Sequence, residues 1–415
     1  MQKITPKILK GFRDFLPQEA RKRQYVIDTF KRVFESYGFE PLETPVLEYE
    51  EILTGKYGDE GDKLMYRFTD QGGRRVAMRY DQTVPLARVV AQYQNELPLP
   101  FKRYQIQSVW RAENTQKGRY REFTQCDIDT VGTASLMADA EIVALAINAL
   151  ERLDFKEFKV IVNDRNNLKF YNDVEKLSEE ENVKAIRSID KMKKIGREGV
   201  LDDLTKSGFS VETASFILQS IENKKPTKNL LEIFTFLKQF GLDENKLEFD
   251  PTLARGLDYY TGLIFEIEIE GYAAGSVCGG GRYDNLIGMF GNNQVPAVGC
   301  AFGFDRIMDA MDEMNLFPKD LSTTKVLITV FSPNLLEESL KLGLTLRENN
   351  INAEVYLDKN AKIDKQLKYA DKKGIPFVAI LGPDEVKENK VAVKNMNSGE
   401  QEKVSKEKLL KLLGS

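Results

Sequence analysis

Apolar positions repeat with two different periods along this chain, and each period predicts a type of element. The segment from Pro17 to Gly38 has apolar side chains at close to helical spacing and stops at a glycine, which predicts a helix. Residues 135–153, SLMADAEIVALAINALERL, form a second strongly amphipathic helical pattern. FKVIVND and IFEIEIE are typical of strands, and the alternation in IFEIEIE predicts one buried face. The chain therefore mixes helices with strands.

Two strand-like runs, FKRYQIQSVW and FTQCDIDTVG, flank a polar loop and predict an antiparallel hairpin. The loop is cationic and contains Arg111, Lys117, Gly118, Arg119 and Arg121. Arginine suits phosphate because its planar fork donates two parallel hydrogen bonds. Side chains alternate across a strand, so Gln125, Asp127 and Asp129 share one face. The hairpin thus suits a polyphosphate at its tip and an amine or cation at its base, although a solvated arginine-rich surface fits this stretch equally well.

The length of 415 residues predicts two or three domains. From about residue 166 to residue 247 the sequence is charged and helical, which indicates a helical insertion. A linker at Pro318–Thr324 precedes alternating strands and helices, with a turn at Asn397–Gly399 before a final helix. This last part predicts a small α/β domain with a mixed sheet. We therefore divide the chain into domains at 1–320 and 325–415.

Composition limits the kind of protein. The hydrophobic share of 42% and the charged share of 30% are typical of a soluble globular protein. A net charge of −4 means that any nucleic-acid binding must rely on local basic patches. The three cysteines form no CxxC pair, which argues against a structural zinc site and a disulfide framework. With no apolar h-region and no membrane-length apolar run, we predict a cytoplasmic protein without a membrane partner.

The chain contains no histidine, which removes the commonest general base and metal ligand. Ser-His-Asp hydrolysis, Cys-His proteolysis and phosphohistidine chemistry are therefore excluded. Any catalysis must use positioning, cations and carboxylates.

Four further stretches carry candidate chemistry: MRYDQTVPLARVV, LARGLDYYTG, GSVCGGGRYDNLIG and VPAVGCAFGFDRIMDAM. In the first, Asp81 and Thr83 precede a proline, a plain signal for a helix N-terminus that is also compatible with ligand binding. In the third, three consecutive glycines allow close approach of a ligand to the backbone but lack the GK[ST] ending of a P-loop.

These stretches resemble one family in the correct order and over nearly the whole chain. WRAEN…GRYREF resembles motif 2 of class II aminoacyl-tRNA synthetases, and FGFDR resembles motif 3. RGLDYYTG and GGGRYD are similar to the signatures of the histidyl-tRNA synthetase family. The resemblance implies an α+β fold: an antiparallel-sheet catalytic domain with a helical insertion, followed by an α/β anticodon-binding domain. The helix and strand at about 17–48 resemble motif 1, which implies a homodimer.

The resemblance also implies substrates and residue roles. The substrates would be L-histidine, ATP with Mg²⁺, and tRNA(His), with no metal site of the protein's own. Arg255 and Arg111 would be catalytic. ATP would be bound by Arg111, Glu113, Arg119, Phe123 and Arg306. Histidine would be bound by Asp81, Thr83, Gln125, Asp129, Arg255, Tyr259, Tyr260 and Tyr283. Lys191, Lys193 and Lys194 of the insertion suit tRNA phosphates, or simply form a solvated helix face.

Two alternatives remain at this point. A catalytically inactive, synthetase-like regulatory subunit of histidine biosynthesis would typically lack the phosphate-binding arginines or the C-terminal domain. A class II synthetase for another amino acid conflicts with RGLDYYTG and GGGRYD. Asp129 stands where many relatives have Glu, and Asp81-Gln82-Thr83 where they have Glu-Gly-Thr, but each replacement keeps the carboxylate.

Overall fold

The computed structural model of the protein describes residues 4–55, 58–115, 119–170, 177–255, 259–291 and 293–414. The chain forms two compact units. The first consists of Met1–Asp14 and Val26–Leu316, and the second of Phe15–Tyr25 and Phe317–Ser415. The division near residue 317 lies just before the predicted linker, whereas the assignment of residues 15–25 to the second unit was not foreseen.

The first unit is built on a large mixed sheet and a small antiparallel one. Its strands are β1 (Glu40–Pro41), β2 (Leu47–Tyr49), β3 (Arg67–Thr69), β4 (Arg75–Met78), β5 (Phe101–Trp110), β6 (Glu122–Val131), β7 (Phe158–Asp164), β8 (Leu247–Phe249), β9 (Leu263–Ile269), β10 (Cys278–Arg282) and β11 (Ala297–Phe302). The large sheet has the order β1-β5-β6-β11-β10-β9-β7-β8, and the small one β2-β4-β3. The six central strands of the large sheet are antiparallel, and each edge strand is parallel to its neighbour.

Helices cover the sheet and form the insertion. They are α1 (Pro17–Ser36), α2 (Glu50–Leu53), α3 (Gly58–Lys63), α4 (Thr83–Gln92), α5 (Leu136–Arg152), α6 (Glu179–Ile189), α7 (Met192–Lys206), α8 (Val211–Glu222), α9 (Lys228–Gln239) and α10 (Phe304–Glu313). The predicted helices at 17–38 and 135–153 are confirmed by α1 and α5. Ser135 caps α5 by accepting a hydrogen bond from the backbone of Met137.

The predicted hairpin is confirmed. Strands β5 and β6 pair along ten residues, from Phe101 opposite Val131 to Trp110 opposite Glu122. This register places Arg103, Gln105 and Gln107 of β5 opposite Asp129, Asp127 and Gln125 of β6 on one face of the sheet. That face carries the polar side chains of the candidate site.

The other face of the sheet is apolar. Phe30 and Phe34 of α1 are fully buried there, and their rings lie 4.8 Å from that of Phe302 and 5.6 Å from that of Tyr104 respectively, between centroids. Burying an aromatic side chain of this size contributes roughly 1.5–3 kcal/mol each. The apolar residues of α1 from Val26 onward are therefore buried inside the first unit.

The three consecutive glycines lie within β10, between β9 and β11. A Cβ atom on Gly280 would lie 2.1 Å from the carbonyl oxygen of Gly299, and one on Gly281 would lie 2.3 Å from that of Leu263. A Cβ on Gly279 would lie 2.3 Å from the guanidinium of Arg255. Atoms of the protein itself therefore lie closest to these glycines. The group at Gly279 is Arg255, a residue of the candidate site.

The second unit contains strands β12 (Val326–Ile328), β13 (Ala353–Val355), β14 (Phe377–Ile380), β15 (Lys390–Asn395) and β16 (Gln401–Ser405), and helices α11 (Leu336–Glu348), α12 (Ile363–Lys373), α13 (Pro383–Lys387) and α14 (Lys406–Gly414). Its sheet has the order β13-β12-β14-β15-β16, with parallel and antiparallel pairs, so the predicted mixed sheet is confirmed. The turn at Asn397–Gly399 joins β15 to β16, a strand that the sequence interpretation missed. Among the described helices of the whole chain, none has the length and apolar character needed to cross a membrane.

Candidate active site

A cavity of about 320 Å³ opens at the loop end of the β5–β6 hairpin. It is lined by all five residues predicted to bind ATP, and by Arg255 and Gln125. The polar residues that line it are Arg111, Glu113, Arg119, Tyr120, Thr124, Gln125, Arg255, Ser276, Asp305 and Arg306. The lining contains four arginines and two carboxylates, so the net charge of the cavity wall is positive.

Arg111 lies between two aromatic rings. Its guanidinium carbon is 4.4 Å from the ring centroid of Tyr80 and 5.1 Å from that of Phe123, and its Nε donates a hydrogen bond of 3.1 Å to the carbonyl oxygen of Tyr80. Cation–π contact and the hydrogen bond together restrict the side chain. A cation is therefore fixed beside the aromatic ring of Phe123, one of the residues predicted to bind ATP.

Two further arginines lie at the rim and the opposite wall. Arg119 is 57% exposed and its Nη1 lies 3.8 Å from Glu113, so the two predicted ATP ligands already face each other. Arg306 Nη1 donates a hydrogen bond of 2.7 Å to the carbonyl oxygen of Ser276. Loop residues Lys117 and Gly118 lie outside the described residues.

Arg255 is held on three sides. Its Nη1 lies 2.5 Å from Glu266 Oε1 and 3.3 Å from Ser276 Oγ, and its guanidinium packs on Gly279, where any Cβ would collide with it. Desolvation lowers the pKa of Arg255, but the charge and hydrogen bond of Glu266 together with Tyr260 and Tyr259 outweigh it, and the net shift is upward. Arg255 is thus a fixed, permanently charged group facing the cavity. Asp258 of the same sequence motif lies outside the described residues.

A buried polar cluster lies next to the cavity on the same sheet face. Arg103 is fully buried, and its Nη2 lies 2.7 Å from Asp129 and 3.9 Å from Asp127. Tyr283 donates a short hydrogen bond to the other oxygen of Asp129. Gln125 Nε2 donates to Asp127 at 2.9 Å. Two carboxylates against one arginine leave the cluster acidic.

Burial dominates the electrostatics of this cluster. It raises the pKa of Asp127 well above its ordinary value, opposed by the positive charge of Arg103 and reinforced by the charges of Asp129 and Asp81. It also raises the pKa of Asp129, against Arg103 and the hydrogen bond from Tyr283. Each carboxylate therefore prefers a nearby positive charge, and an amine or cationic ligand would supply one.

Buried acceptor atoms point to the same kind of ligand. Gln125 Oε1 and Asp127 Oδ1 are buried and have no hydrogen-bond partner among the described residues. Buried acceptors are normally paired, so these atoms suit a ligand that donates hydrogen bonds. Gln125 also lines the cavity, and it joins the acidic cluster to the cationic one.

The predicted tyrosines are brought together beside Asp129. The ring of Tyr259 lies 4.5 Å from that of Tyr260 and 6.0 Å from that of Tyr283, between centroids. Gly299 leaves room for the Asp129 carboxylate, because a Cβ atom on Gly299 would lie 2.0 Å from Asp129 Oδ1. This arrangement forms an aromatic wall with one carboxylate at its base.

Asp81 and Thr83 lie at the start of α4, as their sequence signal indicated. Asp81 Oδ1 accepts a hydrogen bond of 3.2 Å from the backbone of Val84, so it acts as a cap. Burial is the main cause of the raised pKa of Tyr259 and of Asp129, and the charge of Asp81 adds to both shifts, which places it near the acidic cluster. Helix capping and ligand binding are compatible at this position.

The sequence interpretation missed Arg103, the cation beneath the site. Its signal was available, because Arg103, Gln105 and Gln107 have the same two-residue spacing as Gln125, Asp127 and Asp129. Of the insertion lysines proposed for tRNA, Lys191 pairs with Asp203 at 2.7 Å and Lys193 with Glu268 at 2.9 Å. These pairings favour the alternative of an ordinary charged surface for both.

Comparisons with known proteins agree with this geometry. The family model for histidyl-tRNA synthetase matches residues 11–307, and that for an anticodon binding domain matches residues 325–415. A histidine–tRNA ligase of Cytophaga hutchinsonii is 43% identical, covering 96% of this chain and 97% of its own. One of Wolinella succinogenes is 39% identical, covering 96% and 95%.

Solved structures share the fold. The crystal structure of histidyl-tRNA synthetase from Nostoc sp. PCC 7120 has a TM-score of 0.88 and 31% identity, covering 99% of both chains. A structure described as an ATP phosphoribosyltransferase regulatory subunit/histidyl-tRNA synthetase from Bacillus halodurans has a TM-score of 0.73, covering 89% of this chain and 97% of its own. At 23% identity, that second likeness concerns the fold alone. From the family match and the identity over nearly the full length, the chain belongs to the histidyl-tRNA synthetase family.

Proposed function

We propose that this chain activates L-histidine with ATP and transfers it to tRNA(His), and that both small substrates bind on the polar face of the large sheet. Membership of the family makes the chain a class II aminoacyl-tRNA synthetase and a histidine–tRNA ligase. One observation carries the site assignment. A cationic cavity and an acidic, partly unpaired cluster lie side by side and share Gln125.

ATP would occupy the cationic cavity. Arg111 would bind the α-phosphate, and Arg119 and Arg306 the outer phosphates, because a guanidinium matches phosphate oxygens bidentately. Phe123 would stack on adenine, and Glu113 would accept a hydrogen bond from its amino group. The support is that all five line one cavity, with Arg119 and Glu113 3.8 Å apart.

Histidine would occupy the acidic cluster. Its ammonium group would be bound by Asp81, Thr83 and the unpaired acceptor of Gln125. Its imidazole would meet Asp129 and the wall formed by Tyr259, Tyr260 and Tyr283. A hydrogen bond from the imidazole N–H to Asp129 would select histidine over other amino acids. A side chain without that donor would leave the buried carboxylate without this hydrogen bond.

The reaction needs positioned charge and no histidine from the protein. A carboxylate oxygen of the substrate attacks the α-phosphorus, a new P–O bond forms, and pyrophosphate leaves with the electrons of the broken bond. Negative charge spreads over the α-phosphate oxygens in the transition state, where Arg111 and Arg255 would stabilise it. In the second step a terminal ribose hydroxyl of the tRNA attacks the histidyl carbonyl, and AMP leaves.

Magnesium enters this proposal as part of the nucleotide substrate. Mg²⁺ binds phosphate oxygens, usually keeps several waters and takes one or two carboxylates from the protein. Glu113 and Asp305 are the carboxylates that line the cavity. Either could contribute an oxygen directly or through water.

The domains divide the work in this proposal. Residues 1–320, with the insertion at about 166–247, would form the catalytic domain, and residues 325–415 would bind the anticodon. The match of an anticodon-binding family model to residues 325–415 supports this division. A regulatory, inactive role is not favoured, because that domain is present and Arg111, Arg119, Arg255 and Arg306 all line the cavity. The free cysteines and the lack of a spanning helix among the described residues fit the proposed cytoplasmic location.

We expect the chain to be a homodimer. The apolar residues of α1 from Val26 onward do not supply the reason, since they are buried within the first unit. The expectation rests instead on exposed apolar side chains on and beside the small sheet. They include Val46 at 41%, Leu47 at 42% and Tyr49 at 52% exposure. Contiguous exposed apolar surface commonly marks an interface. Light scattering at micromolar concentration should give twice the monomer mass of 47.3 kDa, and a monomer would contradict this expectation.

ATP–pyrophosphate exchange tests the proposed activity. We expect exchange that requires both histidine and magnesium, because pyrophosphate returns to ATP only when it attacks histidyl-adenylate and releases histidine, the reverse of adenylate formation. Absence of exchange with histidine under saturating MgATP would refute the proposal.

A further inference from the structure

A short segment before α1, residues 9–13, lies against the loop that carries Arg119. We call it the N-terminal strap. The carbonyl oxygen of Gly11 accepts a hydrogen bond of 2.9 Å from the backbone of Arg121. Arg121 in turn donates from Nε to the carbonyl oxygen of Glu113 at 3.2 Å. The strap is therefore paired by its backbone to the arm of the loop that returns to β6.

Gly11 allows this close pairing. Its φ angle is +89°, and a Cβ there would lie 2.7 Å from Arg121 Cγ and 2.8 Å from Thr115 Cγ2. Both the positive φ and the lack of space favour glycine. A larger residue would push the strap away from the loop.

Arg13 of the strap contacts two residues that line the cavity, Tyr120 and Asp305. Its guanidinium carbon lies 3.3 Å from the ring centroid of Tyr120, and its Nη2 lies 2.9 Å from Asp305 Oδ2. Tyr120 and Asp305 both line the cavity, whereas Arg13 does not. The side chain of Arg13 is 25% exposed and that of Asp305 13%, so the ion pair is partly shielded from solvent.

The two contacts of Arg13 are sequence neighbours of the two arginines assigned to the outer phosphates. Tyr120 follows Arg119, and Asp305 precedes Arg306. Arg119 belongs to the loop before β6 and Arg306 to the first turn of α10, after β11. The two arginines therefore lie on separate elements that follow or precede paired strands. Arg13 touches both neighbours.

We infer that Arg13 is a positioning residue for the nucleotide, and that it fixes the separation of Arg119 and Arg306 from outside the cavity. This inference rests on the proposed binding of ATP in that cavity. A guanidinium is suited to the task because it stacks on a ring through its face and pairs with a carboxylate through its edge. Lysine would keep the charge without the planar stack.

The test is a comparison of Michaelis constants in pyrophosphate exchange. Arg13→Ala should raise KM for ATP about tenfold, which is about 1.4 kcal/mol of binding free energy. KM for histidine should stay within about twofold, because Tyr120 and Asp305, which Arg13 contacts, line the cavity assigned to ATP. R13K should fall between the wild type and R13A. Gly11→Ala should raise KM for ATP in the same direction, because it moves the strap from the loop.

Arg23→Ala is the matched control. The Arg23 guanidinium stacks on Phe15 at 3.9 Å, a similar contact that lies in the second unit. It should leave both Michaelis constants unchanged.

An R13A variant with the KM for ATP of the wild type would overturn the inference. So would an equal rise in both constants with a lowered melting temperature, since that is the behaviour of a merely structural residue. If R13A does not fold, R13K and G11A decide between these outcomes. Failure of the wild type to exchange with histidine would refute the proposed function instead, so the two failures are distinguishable.

Discussion

Arg255→Ala should slow histidyl-adenylate formation by about 10²–10³-fold and leave histidine binding measurable. Arg255 is held by Glu266, Ser276 and the missing Cβ of Gly279, so its charge is in place before the α-phosphate becomes more negative. Loss of such a preorganised group is felt mainly in the transition state, at roughly 3–4 kcal/mol. Lysine should rescue only in part, because a point charge does not reproduce two fixed donors.

Single-turnover kinetics with a thermal melt distinguish this role from a packing role. Arg197→Ala is a matched control, because Arg197 also pairs with a glutamate, Glu222 at 2.8 Å, on the exposed surface of the insertion. The control should leave the rate unchanged. An R255A variant with a normal rate and a lowered melting temperature would make Arg255 a structural residue.

Arg103→Met should lower the free energy of unfolding by about 3–5 kcal/mol, the usual cost of removing one partner of a buried ion pair. The side chains of Arg103, Asp127 and Asp129 are at most 5% exposed, so neither carboxylate can recover hydration. Histidine binding should weaken as well, because Asp129 would lose the contact that holds it beside Tyr283. Arg103→Lys keeps the charge and should lose less stability.

The loss in R103M should depend on pH in a defined direction. Burial raises the pKa of Asp127 and Asp129 above their unfolded values, and Arg103 opposes that rise. A carboxyl with a raised pKa in the folded state binds its proton more tightly there, so its contribution to stability is greatest at low pH and is lost as pH rises through the folded pKa. Without Arg103 both values rise further.

R103M should therefore recover part of its lost free energy of unfolding when the pH is lowered from about 8 to about 5.5. This gain should exceed the change in the free energy of unfolding of the wild type over the same interval. Urea unfolding at the two pH values measures this difference. An R103M variant whose free energy of unfolding falls by under about 1 kcal/mol, well below the usual cost of breaking a buried ion pair, would contradict this role of Arg103. So would an equal fall at both pH values, since Arg103 would then not stabilise the charged forms of Asp127 and Asp129.

Local patterns predicted the centre of the fold well. The β5–β6 hairpin follows from two strand-like runs around a polar loop, and the shared face of Gln125, Asp127 and Asp129 follows from the two-residue period of a strand. The end of α1 lies close to the glycine predicted to stop it, and the extent of α5 follows from the amphipathic pattern of residues 135–153. These features depend on neighbours in sequence.

Features that depend on distant residues were not predictable in the same way. Strand β8 has three residues and pairs with β7 across the whole insertion, from Val160 to Leu247. Gly279 and Gly299 owe their identity to Arg255 and Asp129, which approach from other strands and loops. The N-terminal strap owes its place to a loop about 110 residues later in the chain. No periodicity within one segment carries such information.

The role of a charged residue was also hard to assign from its sequence position. Lys193 lies in a charged helical segment, and its partner Glu268 lies on β9, outside the insertion. Arg103 lies in a strand-like run rich in polar residues, and only the register with β6 shows that it lies beside two carboxylates. Pairing, which decides between binding and structure, is set by the tertiary fold.

We propose that the cationic cavity and the acidic cluster together activate histidine and no other amino acid. ATP–pyrophosphate exchange with each of the twenty amino acids, at saturating MgATP, measures this most directly. We predict exchange with histidine and none with threonine or proline, because only histidine offers an imidazole donor to Asp129 within the tyrosine wall. Exchange with a different amino acid, or with none of the twenty, would contradict the account.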